Sequence, residues 1–295
     1  MSVSIARRRP LSTRGQRAFA LRLGILTVLA LAYFSPLYWM VKSSFEPERA
    51  IRQGVLSFGL TEPSLRNYAL AVVDGQFLTW YRNSFVVSGA TMAITVLVST
   101  LAAYSLARLR TRFARIVGPL FLLAYVVPGV MLIVPLFVVI VFFGLQDTFP
   151  GLIVTYSSFA VPFGTWLLRA YFASLPAELE DAALVDGCTP SGALFRVVIP
   201  LSAPAIVTVA LFAFVLAWND VLFAMVFTNS DSVRPLGAGL PNYMQAVSAS
   251  DPTPGSIGLG QTFAFCVLVA LPVVLVFLTL QRWLVQGLAA GGMKG

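Results

Sequence analysis

The chain has 295 residues, of which 58% are hydrophobic and only 11% are charged, and its mean hydropathy is +0.85. Because an ordinary soluble domain carries about 25% charged residues, this composition excludes a soluble globular protein. The net charge is +8, but the chain has no histidine and only two cysteines. It therefore lacks the residues for the usual zinc sites, for His-based catalysis and for a disulfide framework.

Six apolar stretches each approach or exceed the roughly 20 residues that a membrane helix needs. The third stretch contains Pro128, Gly129 and Pro135, which predict a tilt or a bend because proline removes a backbone donor and clashes with the preceding turn. We predict an all-α polytopic membrane protein. Its six transmembrane helices are expected at about 23–41, 84–107, 116–143, 149–168, 204–227 and 262–281.

The first stretch follows a basic segment, and residues 30–32 (Ala-Leu-Ala) resemble the cleavage site of a signal peptide. The apolar run continues past that site to Met40, whereas the apolar region of a signal peptide is typically about 7–15 residues long. This favours an uncleaved helix at 23–41 after a basic cytoplasmic tail at 1–22. A cleaved signal peptide is the alternative interpretation.

The distribution of cations predicts the orientation of the chain in the membrane. With the N-terminus inside, the cytoplasmic segments hold 14 of the 20 Lys and Arg residues and the outer segments hold 6. We therefore predict that both termini are cytoplasmic, with a C-terminal tail at 283–295, and that the basic charge marks topology and not nucleic-acid binding. An extracytoplasmic loop at 42–79 then precedes a unit of five spans at 80–282.

The cytoplasmic segment at about 169–203 has the pattern of two short helices. Pro176 followed by Glu178, Glu180 and Asp181 predicts the start of the first helix, because proline fits a first turn and acids complement the positive end of the helix dipole. Gly187 predicts its C-terminal stop.

Thr189 and Pro190 then predict the N-cap and first position of the second helix, which should end at Pro200. Apolar residues recur at near-helical spacing on both helices. Two interpretations remain open: an elbow that packs against the chain's own spans, and a docking surface for a partner.

Asp220 is an ionisable residue in the otherwise apolar fifth span, which makes it costly and a functional candidate. It follows Trp218 and Asn219 in the outer half of that span. Asn219 and Asp220 either bond to neighbouring helices as structural residues or contact a substrate directly.

The motifs that are missing from the sequence discriminate between transport mechanisms. No G-x-x-x-x-G-K-[ST] motif occurs, so the chain has no P-loop with which to hydrolyse ATP. An ion-coupled carrier usually has several acids or histidines within its spans, whereas only Asp220 qualifies here. The sequence favours a passive conduit whose energy comes from another subunit.

The run LPAELEDAALVDG at 175–187, followed by VVIP at 197–200, resembles the EAA loop of binding-protein-dependent ABC importer permeases. Segments at 83–84, 102–108, 217–220 (AWND) and 281–288 (QRWLVQGL) resemble the carbohydrate branch, in particular the second permease of maltose-type systems. Two positions depart from the family pattern. Asp181 replaces the usual Glu, and the tail reads GMKG at 292–295 in place of small-Val-Lys-Gly.

The resemblance implies an ABC transmembrane type-1 domain in the lipid of a bacterial inner membrane, without catalytic residues, metal or cofactor of its own. It implies a second homologous permease, two cytoplasmic subunits that bind ATP and Mg, and an extracytoplasmic protein that delivers a sugar, expected to be a di- or oligosaccharide. The EAA loop, about 174–203, would enter a cleft of an ATPase subunit. The residues expected there are Glu178, Glu180, Asp181, Ala182, Ala183, Gly187 and Pro200.

Polar and aromatic residues of the spans are candidates for the translocation path. They are Tyr125, Tyr156, Ser157, Ser158, Asn219 and Asp220. The alternative function is a secondary carrier or facilitator that moves a small polar solute on its own, without an ATPase.

Overall fold

The computed structural model describes residues 13–52, 59–60, 62–73, 76–108, 121, 127–250 and 258–291. Those residues form helices joined by turns and short extended segments, and none of them lies in a strand. The helices are α1 (Thr13–Ser44), α2 (Glu48–Arg52), α3 (Arg66–Val73), α4 (Gln76–Arg108), a 3-10 turn (Gly129–Leu132), α5 (Ile133–Phe142), α6 (Phe149–Ser174), α7 (Glu178–Val185), α8 (Pro190–Leu201), α9 (Ala203–Asn219), α10 (Leu222–Phe227), α11 (Leu236–Ser250) and α12 (Leu259–Gly291).

Among the described residues, four helices are long and apolar enough to cross a membrane. The number rises to five if the bent pair α8 and α9 is counted as one span. They lie where the sequence predicts the first, second, fourth, fifth and sixth spans, but several run past the predicted limits. Helix α1 begins at Thr13 within the predicted tail, α4 begins at Gln76 and α12 continues to Gly291. The polytopic all-α fold is confirmed, whereas the count of six spans is not.

Two predicted spans differ from simple helices. The predicted third span lies partly outside the described residues, and its described part restarts after Pro128 as the 3-10 turn and α5. The predicted fifth span, 204–227, is wrong as one helix, because α9 ends at Asn219 and α10 begins at Leu222. Asp220 between them has an extended backbone, with φ −72° and ψ 136°.

Helices α4, α6 and α9 form the centre of the fold, and α4 packs most extensively against α6 and then against α9. Helix α1 lies at the side against α12, and its side chains over 19–38 are exposed, as expected of a helix that faces lipid. One apolar cluster, here called the loop cluster, joins α4, α6 and α9 to α8. Its residues are Ala103, Leu168, Phe172, Leu194, Val198, Ala205 and Val209.

Gly164 of α6 lies at a close approach between the three central helices. A Cβ atom at this position would lie 2.6 Å from Ser99 Oγ of α4 and 2.8 Å from Val209 Cγ1 of α9. Ser99 is fully buried, and its hydroxyl donates to the Val161 carbonyl of α6 at 3.2 Å. The three helices therefore pack at a distance that only glycine permits here.

Polar side chains fix α4 at the end opposite to α7 and α8. The buried amide of Asn83 donates to the carbonyl groups of Asp231, Ser232 and Arg234 at 3.0–3.3 Å. Trp80 Nε1 donates to the carboxylate of Asp231 at 3.2 Å. The start of α4 is thus held to the segment that precedes α11.

Asp147, in the turn before α6, forms further hydrogen bonds at the same end of the molecule. Its Oδ1 accepts the backbone N–H groups of Asn229 and Ser230 at 2.9 and 3.0 Å. Burial raises the pKa of Asp147, but these backbone donors outweigh it and hold the pKa below its ordinary value.

Candidate functional site

The predicted EAA loop, from here on called the coupling loop, contains α7 and α8, and α7 ends and α8 begins where the sequence predicts. Gly187 has φ +88°, its N–H donates to the Leu184 carbonyl at 3.0 Å, and the Cys188 N–H donates to the Ala183 carbonyl at 2.9 Å. These two bonds form a Schellman motif that ends α7. Thr189 then caps α8, because its Oγ1 accepts the Gly192 N–H at 3.1 Å.

Helix α8 passes through Pro200 and ends at Leu201, one residue later than predicted, after a π-helical segment at Leu194–Val198. It then bends by 80° into α9. Pro200 lies in the last turn of α8 and so precedes this bend. The loop therefore leads without a flexible linker into a central helix.

The loop has one face toward the bundle and one face away from it. Ala183, Leu194 and Val198 are buried, the last two in the loop cluster. Val185 is 87% exposed and Phe195 is 59% exposed. Both interpretations left open by the sequence are thus compatible with the structure: the inner face packs as an elbow, and the outer face presents apolar surface.

The three acids of α7 differ sharply in their surroundings. Glu178 and Asp181 are exposed, whereas Glu180 is only 8% exposed and forms an ion pair with Arg108 at the end of α4. Arg108 Nε donates to Glu180 Oε1 at 2.6 Å, and the Tyr104 hydroxyl donates to Oε2 at 3.1 Å. The expectation that Glu180 binds an ATPase conflicts with this burial, because both carboxylate oxygens already have partners within the chain.

A cavity of about 1030 Å³ lies between α6, α9 and the 3-10 turn. Three of the predicted path residues, Tyr156, Asn219 and Asp220, line it. Ser157 is buried outside the lining, Ser158 is exposed and donates to the Thr155 carbonyl, and Tyr125 lies outside the described residues. The sequence did not single out the lining residues Phe159, Phe163, Thr208, Phe212 and Phe223, because helical rotation cannot be read from a uniformly apolar span.

Asp220 lies at the break of the fifth span and is hydrogen-bonded within the chain. Its Oδ2 accepts the Tyr156 hydroxyl at 2.8 Å and the Ala224 N–H at 3.0 Å, so one carboxylate bonds to α6 and caps α10. This geometry supports the first of the two interpretations of Asp220. The carboxylate nevertheless borders the cavity, where a ligand could meet it.

We expect Asp220→Ala to destabilise the purified protein by about 2–4 kcal/mol, since it removes a helix cap and leaves the buried Tyr156 hydroxyl unpaired. Tyr156→Phe is the matched control and should cost only about 1 kcal/mol. Thermal unfolding in detergent measures both. An Asp220→Ala protein of undiminished stability that transports nothing would instead indicate a substrate contact.

Among the described residues no group of three or more His, Cys, Asp and Glu side chains could hold a metal ion. Cys188 and Cys266 are free thiols. The site thus consists of two parts. One is a loop that bears exposed acids and apolar residues, and the other is a mostly apolar cavity with several aromatic side chains and a few polar groups. A bundle of apolar helices with these two parts has the architecture of a membrane-embedded transport subunit.

The chain belongs to the family of binding-protein-dependent transport system inner membrane components, whose model matches residues 68–290. It is 34% identical to the sulfoquinovosyl glycerol transport system permease protein of Agrobacterium fabrum, with 93% of this chain and 94% of that protein covered. It is 33% identical to the trehalose transport system permease protein of Mycobacterium tuberculosis, with 92% and 96% covered.

Solved structures support the same assignment. A chain of a bacterial ABC transporter involved in the import of the acidic polysaccharide alginate superposes with a TM-score of 0.80 at 25% identity, with 92% of this chain and 99% of that chain covered. A chain of the MetNI methionine ABC transporter in an inward-facing conformation gives a TM-score of 0.52 at 20% identity and shares the fold. The protein is a permease of the ABC importer class.

Proposed function

We propose that this chain is one of two permease subunits of an ATP-driven importer for a di- or oligosaccharide. The observation that carries the proposal is the loop α7 and α8: its inner face packs on the central helices, while its outer face exposes Val185, Phe195 and two acids. The relatives named for trehalose and sulfoquinovosyl glycerol permeases, each matched over more than nine tenths of this chain, support a carbohydrate as the substrate.

The proposal divides the work among several subunits. A second homologous permease completes the conduit, and two cytoplasmic ATPase subunits bind ATP and Mg, for which this sequence has no P-loop. The excess of Lys and Arg in alternate segments supports an inner-membrane orientation with the loop and both termini in the cytoplasm. An extracytoplasmic binding protein then delivers the sugar to the opposite end.

The cavity is the part of the translocation path that this chain contributes. Its aromatic side chains offer flat faces to sugar rings, and Thr208 and Asn219 offer hydrogen-bonding groups. The docking surface consists of the exposed acids Glu178 and Asp181 with the apolar tip at Val185.

We expect Val185→Asp to abolish copurification of the ATPase subunits, because it places a charge on an apolar tip that docking would desolvate. Val73→Asp is the matched control. Val73 is 79% exposed and lies at the other end of the molecule, before α4, so its variant should copurify normally. Normal ATPase binding by the Val185→Asp permease would contradict the docking surface.

The decisive experiment is uptake by proteoliposomes that contain the assembled complex. Radiolabelled trehalose, diacetylchitobiose and sulfoquinovosyl glycerol, the sugars named for relatives, form the test panel. We expect accumulation only with ATP, the ATPase subunits and the binding protein all present. Transport by the permease alone, or transport driven by an ion gradient, would establish the stand-alone carrier instead.

A further inference from the structure

Glu180 is one of two buried acids in the described part of the chain, the other being Glu46. It belongs to α7 but its partners belong to α4, which the sequence places 72 and 76 residues away. Arg108 and Tyr104 lie one helical turn apart on α4, so they approach the two oxygens of one carboxylate from the same face. Hydrogen bonds to both oxygens restrict the orientation of the buried carboxylate as well as its distance from α4.

Tyr104 also connects α4 to the second helix of the loop. Its hydroxyl lies 3.4 Å from the carbonyl of Pro190, the first residue of α8, in addition to its bond to Glu180. The three side chains therefore lie where α4, α7 and α8 meet. Beneath them, Ala103 and Leu194 pack in the loop cluster, so polar contacts and apolar contacts join the same elements.

We propose that Arg108 and Tyr104 are positioning residues that bind Glu180 and make the coupling loop and α4 move as one body. The inference rests on the proposed function, because it concerns how movement of an ATPase reaches the translocation path. Glu178 and Asp181 contact the ATPase, while Glu180 transmits the displacement to the helix that packs against α6 and α9. The acids of α7 thus have two distinct tasks.

The test measures how nucleotide binding by the ATPase subunits affects the cavity, and it needs no sugar. In the assembled complex, Cys188 and Cys266 are replaced by Ser, and Thr208→Cys places a single thiol in the wall of the cavity. The rate of its reaction with N-ethylmaleimide is compared with and without Mg²⁺, ATP and orthovanadate, and ATP hydrolysis is measured in parallel. In the complex with intact Arg108 and Glu180 we expect nucleotide to change the labelling rate by about tenfold.

Glu180→Gln and Arg108→Gln should still hydrolyse ATP, but nucleotide should change their labelling rate by less than about twofold. The exchanged pair Arg108→Glu with Glu180→Arg should regain the response. Arg169→Gln in α6 is the matched arginine control and should respond like the parent complex. A full response in Glu180→Gln, or an exchanged pair that stays unresponsive while it hydrolyses ATP, would overturn the proposal.

If Glu180→Gln fails to assemble, Arg108→Lys is used in its place, because lysine keeps the positive charge but lacks the planar guanidinium group. Hydrolysis without a labelling response supports the positioning role, and a full response overturns it. Failure of the proposed function would look different: the parent complex itself would show neither ATP hydrolysis nor a labelling change.

Discussion

Replacement of Gly187 by Val is expected to abolish sugar uptake while the permease stays in the membrane at normal levels. Gly187 adopts φ +88°, which costs a residue with a Cβ atom roughly 1–2 kcal/mol and a β-branched residue more. Relief of that strain opens the two hydrogen bonds that end α7, so Thr189 no longer starts α8 in the same direction. Uptake by proteoliposomes and the amount of permease in membranes are the two measurements.

Gly187→Asn is the matched control for this prediction, because asparagine tolerates the left-handed conformation far better than valine. The space around Gly187 is open, with no atom within 4 Å of a Cβ at that position. Steric overlap within the chain therefore cannot account for a difference between the two variants. Full uptake by the Val variant at normal expression would show that the conformation of this turn is irrelevant to transport.

Replacement of Gly164 by Val is expected to prevent stable folding of the permease. The added Cβ would overlap Ser99 and Val209 at 2.6 and 2.8 Å, and overpacking of this kind typically costs about 1–3 kcal/mol or more. Because Ser99 and Val209 are fully buried, neither side chain can turn away into lipid. The yield of monodisperse protein in detergent and its thermal unfolding temperature measure the effect.

Gly89→Val provides the comparison within the same bundle. Gly89 lies in α4, and a Cβ there meets no atom within 4 Å, so the substitution should leave yield and unfolding temperature nearly unchanged. Equal behaviour of the two variants would mean that the close packing at Gly164 does not limit stability.

The features that local chemistry determines were predictable from the sequence. Gly187 and Thr189 act on backbone groups within a few residues of themselves, so the ends of α7 and α8 follow from capping rules. The apolar spans were recognisable for the same reason, because length and composition suffice. The predicted limits of the spans were less accurate, since helices such as α4 continue beyond the apolar stretch.

The features that distant partners determine were not predictable. From the sequence, Glu180 is indistinguishable from the surface acids of α7. Only the fold brings Arg108 close enough to form a buried ion pair with it. Asp220 interrupts an apolar run that reads as one helix, and the break is stabilised by Tyr156, 64 residues earlier. No local pattern of the sequence contains either contact.

The attachment of α4 at both ends limits how this helix can move. Asn83 holds its beginning through three carbonyl groups, and Glu180 holds its end through Arg108. Axial rotation by one residue, about 100°, or a slide by one turn would break the attachment at Asn83, even if the loop moved together with α4. We therefore expect α4 to tilt about Asn83, because tilting keeps the contacts of Asn83 and lets the loop move with α4 through Glu180.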